Sequence, residues 1–182
     1  MLSSSAASPP VSVVVPWRDS PGRAVVWEWL QARWEAHHPD WQLVTGTCPD
    51  GPWRKAVAVA DALTRADGDV LVVADADVWC DGVSVAVDAV IGGARWAIPH
   101  QRLHRLTELA TAAVLDGQPW PRRDPAAYTQ RPYTGRPGGG IVVMTRAMYE
   151  RVPIDPRFGG WGHEDEAWAL ALYCLAGRPH RQ

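Results

Sequence analysis

Two stretches of this sequence hold residues whose types and spacing could do chemistry. The first is DVLVVADADVWCD, from Asp69 to Asp81, an apolar run delivered into two carboxylates, Asp75 and Asp77. In an extended segment positions i and i+2 point to the same side, so both carboxylates can converge on one hard cation. The same acids could instead cap the helix that begins near Asp81, or sit in a solvated turn. The second stretch is FGGWGHEDE, from Phe158 to Glu166, where glycines and a tryptophan precede three acids. Glu164, Asp165 and Glu166 fall at a predicted helix N-terminus, where the dipole favours negative charge. That placement accounts for the acids but not for G-G-W-G. An exposed Trp161 beside flexible glycines and carboxylates is what a sugar site needs: an apolar plate for the ring's C–H face and acceptors for its hydroxyls.

The elements that must position these residues follow from hydrophobic pattern. Val70 to Ala74 have the length and β-branching of a strand buried on both faces. A charge cannot stay in such a strand, so Asp75 and Asp77 stand at its carboxyl end, the edge where ligands bind in open α/β sheets. Upstream, Val11 to Val15 form a strand stopped by Pro16, with Trp17 and Arg18 at the same kind of edge. A helix from Gly22 to Ala36, a strand from Trp41 to Thr45 and a helix running to Ala66 come next. Arg54 and Lys55 sit in the first turn of that last helix, where cations oppose the dipole unless an anion lies nearby; two solvated side chains are the plainer account. Downstream the pattern gives a helix from Gly82 to Ile91, a strand from Arg95 to Pro99, a helix from Arg102 to Leu115, a strand from Ile141 to Thr145 and a helix from Ala167 to Leu175. Such alternation predicts one α/β domain over residues 11–182, with a mainly parallel mixed sheet flanked by helices, after a disordered tail over residues 1–10. Gly117 to Gly140, rich in proline, arginine and glycine, reads as a long mobile surface loop. Its end, Pro137 to Gly140, would let backbone approach a ligand closely.

Composition excludes several classes. A formal charge of −2 leaves no basic field to hold a nucleic-acid backbone. Three widely spaced cysteines form neither a disulfide framework nor a zinc knuckle, and suit a reducing cytoplasm. No apolar stretch is long enough for a membrane span, and MLSSSAASPP lacks the features of a leader. Neither G-x-G-x-x-G after the first strand nor a P-loop is present.

Together, VSVVVPWR, VVADADVW and the ordered pair GGGIVVMTRAMYERV and FGGWGHEDE resemble the GT-A-fold glycosyltransferases that use nucleotide-sugar donors. The last pair is similar to the galactosyltransferase pattern of a G-G strand leading to W-G-x-E-D, and the resemblance covers about Val11 to Ala176. It implies a donor that is a nucleoside-diphosphate sugar, UDP-sugar favoured, and an acceptor hydroxyl. It implies that Asp75 and Asp77 approach Mn²⁺ or Mg²⁺ on the donor diphosphate, and that Pro16, Trp17 and Arg18 line the base and ribose pocket with Arg54 and Lys55 nearby. Gly139 and Gly140 fall on the donor side. Trp161, Gly162 and Glu164 would bind the acceptor, Asp165 would be the general base, and transfer would be inverting. Many such enzymes supply another metal ligand, often His, after the acidic helix, where this chain offers only His180. Two other readings stand beside this one. A haloacid-dehalogenase-type phosphatase would use Asp75 as nucleophile, but the single lysine, Lys55, lies upstream of the motif rather than downstream. An inactive sugar- or nucleotide-binding protein on the same fold is the other.

Overall fold

A computed structural model describes residues 9–20, 22–135 and 137–181. Residues 1–8 of the expected tail lie outside the described residues. Six strands, β1 (Val11–Pro16), β2 (Gln42–Gly46), β3 (Val70–Ala74), β4 (Trp96–Ile98), β5 (Ile141–Thr145) and β6 (His180–Arg181), form one sheet in the order β2-β1-β3-β5-β4-β6. β1 pairs parallel with both β2 and β3, β5 runs antiparallel between β3 and β4, and β6 adds parallel to β4. The sheet is mixed, as expected, with its parallel block at the N-terminal end.

Strand alternation builds a layer on each side. Val13, Val15, Val72 and Ala74 face α1 (Arg23–His37) and α3 (Val83–Ile91), packing with Trp27, Leu30, Trp34, Val83 and Val87. Val14, Leu71 and Val73 face the other way, onto Ala56 and Val59 of α2 (Lys55–Leu63) and Trp168 and Leu172 of α6 (Glu164–Ala176). Because both faces are covered, β1 and β3 read as continuous apolar runs. Ser12 is the polar residue inside β1, and its hydroxyl donates to Gln42 Oε1 and accepts from the Gly68 N–H.

This topology fixes where a ligand can enter. From β1 the chain crosses to β2 on one side, and from β2 it returns past β1 to β3 on the other. The carboxyl ends of β1 and β3 therefore flank the point where the winding reverses, the crevice in which open α/β sheets bind ligands.

Three expectations need correction. The helix predicted over Arg102–Leu115 is present only as α4 (Glu108–Leu115), capped by Thr107, whose Oγ1 accepts from Ala110 N at 3.2 Å. The preceding segment is drawn into bridges instead, Leu103 with Tyr133 and Leu106 with Tyr128. Those bridges also give the stretch after α4 structure that its composition does not show: Tyr128 and Tyr133 pair back onto 103–106, a short 3₁₀ turn lies at Pro125–Ala127, and Arg122 stands 3.2 Å from Asp81. Finally, α5 (Arg146–Arg151), directly after β5 and capped by Thr145, and the short β6 were not anticipated. Both are too short to carry a periodic signal.

Candidate active site

At the crevice the carboxyl end of β3 delivers Asp75 into a three-residue ionic bridge. The Lys55 ammonium, in the first turn of α2, donates to Asp165 Oδ1 at 2.7 Å and stands 2.7 Å from Asp75 Oδ1. Its side chain is only 6% exposed, against 28% for Asp75 and 31% for Asp165. The anion that makes a cation acceptable in this first helical turn is thus supplied by the protein's own two carboxylates. The same bridge joins the two chemically suggestive stretches of the sequence. Burial alone would lower the lysine's pKa, but the charges of Asp75 and Asp165 and their hydrogen bonds outweigh it and raise it, so the group is firmly an ammonium. Asp165 is pushed up, by burial first, with Lys55 opposing and Asp75 and Glu164 adding to the rise.

The other oxygen of Asp75 is also engaged. Its Oδ2 accepts from Gly140 N at 2.9 Å, while Asp75 N donates to Gly140 O at 2.8 Å, fastening the end of β3 to the start of β5. Gly140 has φ +75, a conformation that disfavours a side chain. Two residues earlier Gly138 has no room for one: a Cβ there would meet the Asp165 carbonyl oxygen at 2.0 Å. The glycine run thus serves to bring β5 against the first turn of α6.

Asp77 is placed differently. It lies 3.8 Å from Arg23 at the start of α1, and its side chain is 59% exposed. Its pKa is raised, with partial desolvation and then the charge of Asp75 as causes. Given that exposure, the charge of Asp75 is the firmer of the two.

The residues expected on the nucleotide side are brought to this edge in unequal states. Pro16 is buried at the end of β1. Trp17 packs on Trp27 at 5.8 Å with the Arg23 guanidinium 5.7 Å from its ring. Arg18 is committed to the 46–53 loop, donating to the carbonyls of Pro49 and Gly51 and to Cys48 Sγ while stacking on Trp53. Arg54 is exposed at the N-cap of α2. The 158–163 loop leans on that corner, with Gly160 N donating to Trp53 O at 2.8 Å. Within the loop Trp161 is 91% exposed, Gly162 has φ +111, and Glu164 is buried at the start of α6. His163 holds φ 68, the one non-glycine residue with positive φ among the described residues.

The fit to a divalent cation is partial. Among the described residues no group of three His, Cys, Asp or Glu side chains stands together to hold a metal ion. Each Asp75 oxygen already has one partner and keeps a further lone pair, while Asp77 is the more exposed carboxylate of the two. His180 is not brought to it: β6 lies three strands from β3, about 14 Å across the sheet. Two residues not singled out from sequence also face this region. Arg23 had no signal beyond starting a helix. His100, set aside from sequence as a local hydrogen-bonding residue, has its Cε1 3.6 Å from a Cβ built on Gly140, and its buried Nδ1 has no hydrogen-bond partner. Its pKa is lowered, by burial and then by the charge of Arg181.

No family model matches this chain, and no curated protein sequence does. Solved structures do. A Drosophila β1,4-galactosyltransferase 7, determined as a mutant complex with manganese, UDP-Gal and xylobiose, matches with a TM-score of 0.58 at 13% identity, covering 95% of this chain and 64% of that one. Glucosyl-3-phosphoglycerate synthase from Mycobacterium tuberculosis, in complex with UDP, matches with a TM-score of 0.53 at 17% identity, covering 96% of this chain and 70% of that one. The chain thus spans under two thirds of the galactosyltransferase's length. At these identities the likeness shows the fold, a GT-A Rossmann-like α/β architecture, in agreement with the sheet described above. No helix among the described residues is long and apolar enough to cross a membrane.

Proposed function

We propose that this chain is a glycosyltransferase that moves a sugar from a nucleoside-diphosphate donor, UDP-sugar favoured, to an acceptor hydroxyl with inversion. The observation that carries this reading is the Lys55 bridge, because it places Asp165, the acid next to an exposed tryptophan, in one cluster with Asp75 at the winding-reversal crevice. A phosphatase using Asp75 as nucleophile is less well served by the same geometry, since one oxygen of that carboxylate is engaged by the Lys55 ammonium and the other by Gly140 N. The fold neighbours support the choice of donor, one being a complex with UDP and the other with UDP-Gal.

In this reading the nucleoside enters over Pro16 and Trp17, and the diphosphate lies against the Gly139–Gly140 backbone. Arg54 flanks the entrance, while Arg18 acts by shaping the 46–53 loop. The acceptor sugar stacks on Trp161 above Gly162, Glu164 accepts from one of its hydroxyls, and Asp165 takes the proton of the attacking hydroxyl. Direct attack on the anomeric carbon from the side opposite the leaving diphosphate inverts the centre. A divalent cation, Mn²⁺ or Mg²⁺, would neutralise charge on the departing diphosphate when bound, and in this reading Asp77, with Asp75 beside it, would hold it. The 117–140 arm, tied to Asp81 beside the motif, would exclude water as a cover over the donor.

A thermal-shift screen of nucleoside diphosphates and their sugars, each with Mn²⁺, tests the reading directly. A ligand that binds only the folded chain raises the melting temperature in proportion to the logarithm of its concentration. UDP or a UDP-sugar should give the largest rise; no rise from any nucleoside diphosphate would overturn the assignment.

A further inference from the structure

We propose that Lys55 is a positioning residue for the transfer: its ammonium holds Asp165 by Oδ1, leaves Oδ2 to face the acceptor hydroxyl, and keeps Asp75 as a second partner for the moment at which Asp165 loses its charge. The inference deepens the proposed function and rests on it for the reaction, whereas the hold of Lys55 on the Asp165 side chain rests on geometry alone.

Asp165 is fixed at two points. Its carbonyl oxygen lies 2.0 Å from where a Cβ on Gly138 would stand, so the backbone that opens α6 is closely packed. Its side chain is held through Oδ1, which accepts from Lys55 Nζ at 2.7 Å, while Oδ2 accepts no hydrogen bond among the described residues. A carboxylate here has somewhere else to go, because α6 has no side-chain cap and the N–H groups of its first turn attract an anion. Lys55 is what opposes that swing. The other cations around the crevice are directed elsewhere: Arg54 has its Nε 3.7 Å from a Cβ built on Gly159, Arg18 donates to the Pro49 and Gly51 carbonyls and to Cys48, and Arg23 stands beside Asp77. Sequence places Lys55 on the donor side, but a side chain 6% exposed with two of its three N–H groups directed at carboxylates has little to offer a donor.

An ammonium at this distance favours the charged carboxylate and so weakens it as a base; what Lys55 can contribute is placement. In the transfer the acceptor O–H bond breaks and its proton goes to Asp165 Oδ2. The acceptor oxygen bonds to the anomeric carbon, and the bond from that carbon to the diphosphate breaks with its electron pair leaving on the diphosphate. Asp165 is then neutral, and a buried ammonium with that one partner would be left uncompensated. Asp75 Oδ1, also 2.7 Å from Nζ, keeps it paired through the step.

Two measurements on the full chain test this. In crystal structures of the native chain and Lys55→Met, Asp165 should change rotamer in the variant and turn toward the N–H groups that open α6, with the Gly138 contact unmoved; an unchanged rotamer would overturn the proposal. The second is release of UDP from UDP-glucose, UDP-galactose and UDP-xylose with Mn²⁺, using water and a set of methyl glycosides as acceptors. Lys55→Met should lower kcat by about tenfold or more, with donor KM within about threefold. Lys55→Met/Asp165→Asn should be no more than about twofold slower than Asp165→Asn alone, since a residue acting through Asp165 then has nothing to act on. Losses that multiply, or a loss confined to KM, would overturn the proposal. Circular dichroism establishes that each variant folds. If Lys55→Met does not, Lys55→Arg replaces it, and kcat must follow the Asp165 rotamer, falling if the side chain is displaced and holding if it is not; either mismatch would overturn the proposal. No UDP release by the native chain would remove the proposed function and the transfer step with it, while the rotamer of Asp165 in the variant would still decide whether Lys55 holds that carboxylate.

Discussion

The two halves of the segment from Phe158 to Glu166 are held in opposite ways. Its glycine-rich half is open: Trp161 is 91% exposed, Gly160 and Gly162 have positive φ, and its backbone is tied by Phe158 N to Asp155 O at 3.4 Å and by Gly160 N to Trp53 O at 2.8 Å. The acidic half is pinned, with Glu164 buried, Asp165 bonded to Lys55, and the carbonyl of Asp165 pressed against Gly138. In the proposed reaction Asp165 receives a proton at a set distance and needs a rigid seat, whereas Trp161 admits an incoming ring and needs space. The join between the two is His163, held at φ 68 at the N-cap of α6 with no side-chain cap.

Removing the pinned carboxylate should have the largest effect. Asp165→Asn keeps shape and a weaker acceptor for Lys55, and turnover should fall roughly a hundred- to ten-thousand-fold with donor affinity nearly intact. Steady-state rates beside UDP calorimetry check this; normal turnover would move the base elsewhere and dissolve the contrast between the halves. Gly138→Ala attacks the seat instead. Its Cβ would meet backbone oxygen at 2.0 Å, which cannot swing away, so the start of α6 must shift. A loss of about 1–3 kcal/mol in denaturant unfolding is expected, with activity falling alongside it. The open half should respond least. Trp161→Ala should leave stability within about 0.5 kcal/mol, as for exposed sites generally, while weakening acceptor binding. His163→Gly should raise stability by no more than about 1 kcal/mol, since glycine accepts positive φ without strain but loses more entropy on folding. Urea midpoints of both variants against the native chain would show it, and a large loss in either would mean that this half is also part of the packed frame.

Much of the frame was legible in the amino-acid order because burial is written locally. A run such as VSVVV or VLVVA, short and β-branched, reads as a strand covered on both faces, and an acid after it as standing at the strand's end, so Asp75, Asp77 and the Pro16–Trp17 corner fell at the carboxyl edge of the sheet from pattern. The acids opening α6 were legible for the same reason, through the helix dipole. What no local pattern held was partnership across the fold. Lys55 and Asp165 are 110 residues apart, and only the return of the chain past β1 to β3, with β5 inserted antiparallel, brings α2 and α6 to the same carboxylate. Likewise 102–106 has helical composition, yet pairing with Tyr128 and Tyr133 takes it out of the helix, and Arg18, at the right edge for a ligand, is committed to carbonyls some thirty residues downstream. Sequence decides which residues reach the crevice, because hydrophobic periodicity acts over one element at a time. Tertiary structure decides which of them are already bonded there and which remain open, because each ion pair depends on the relative placement of elements that no single element specifies.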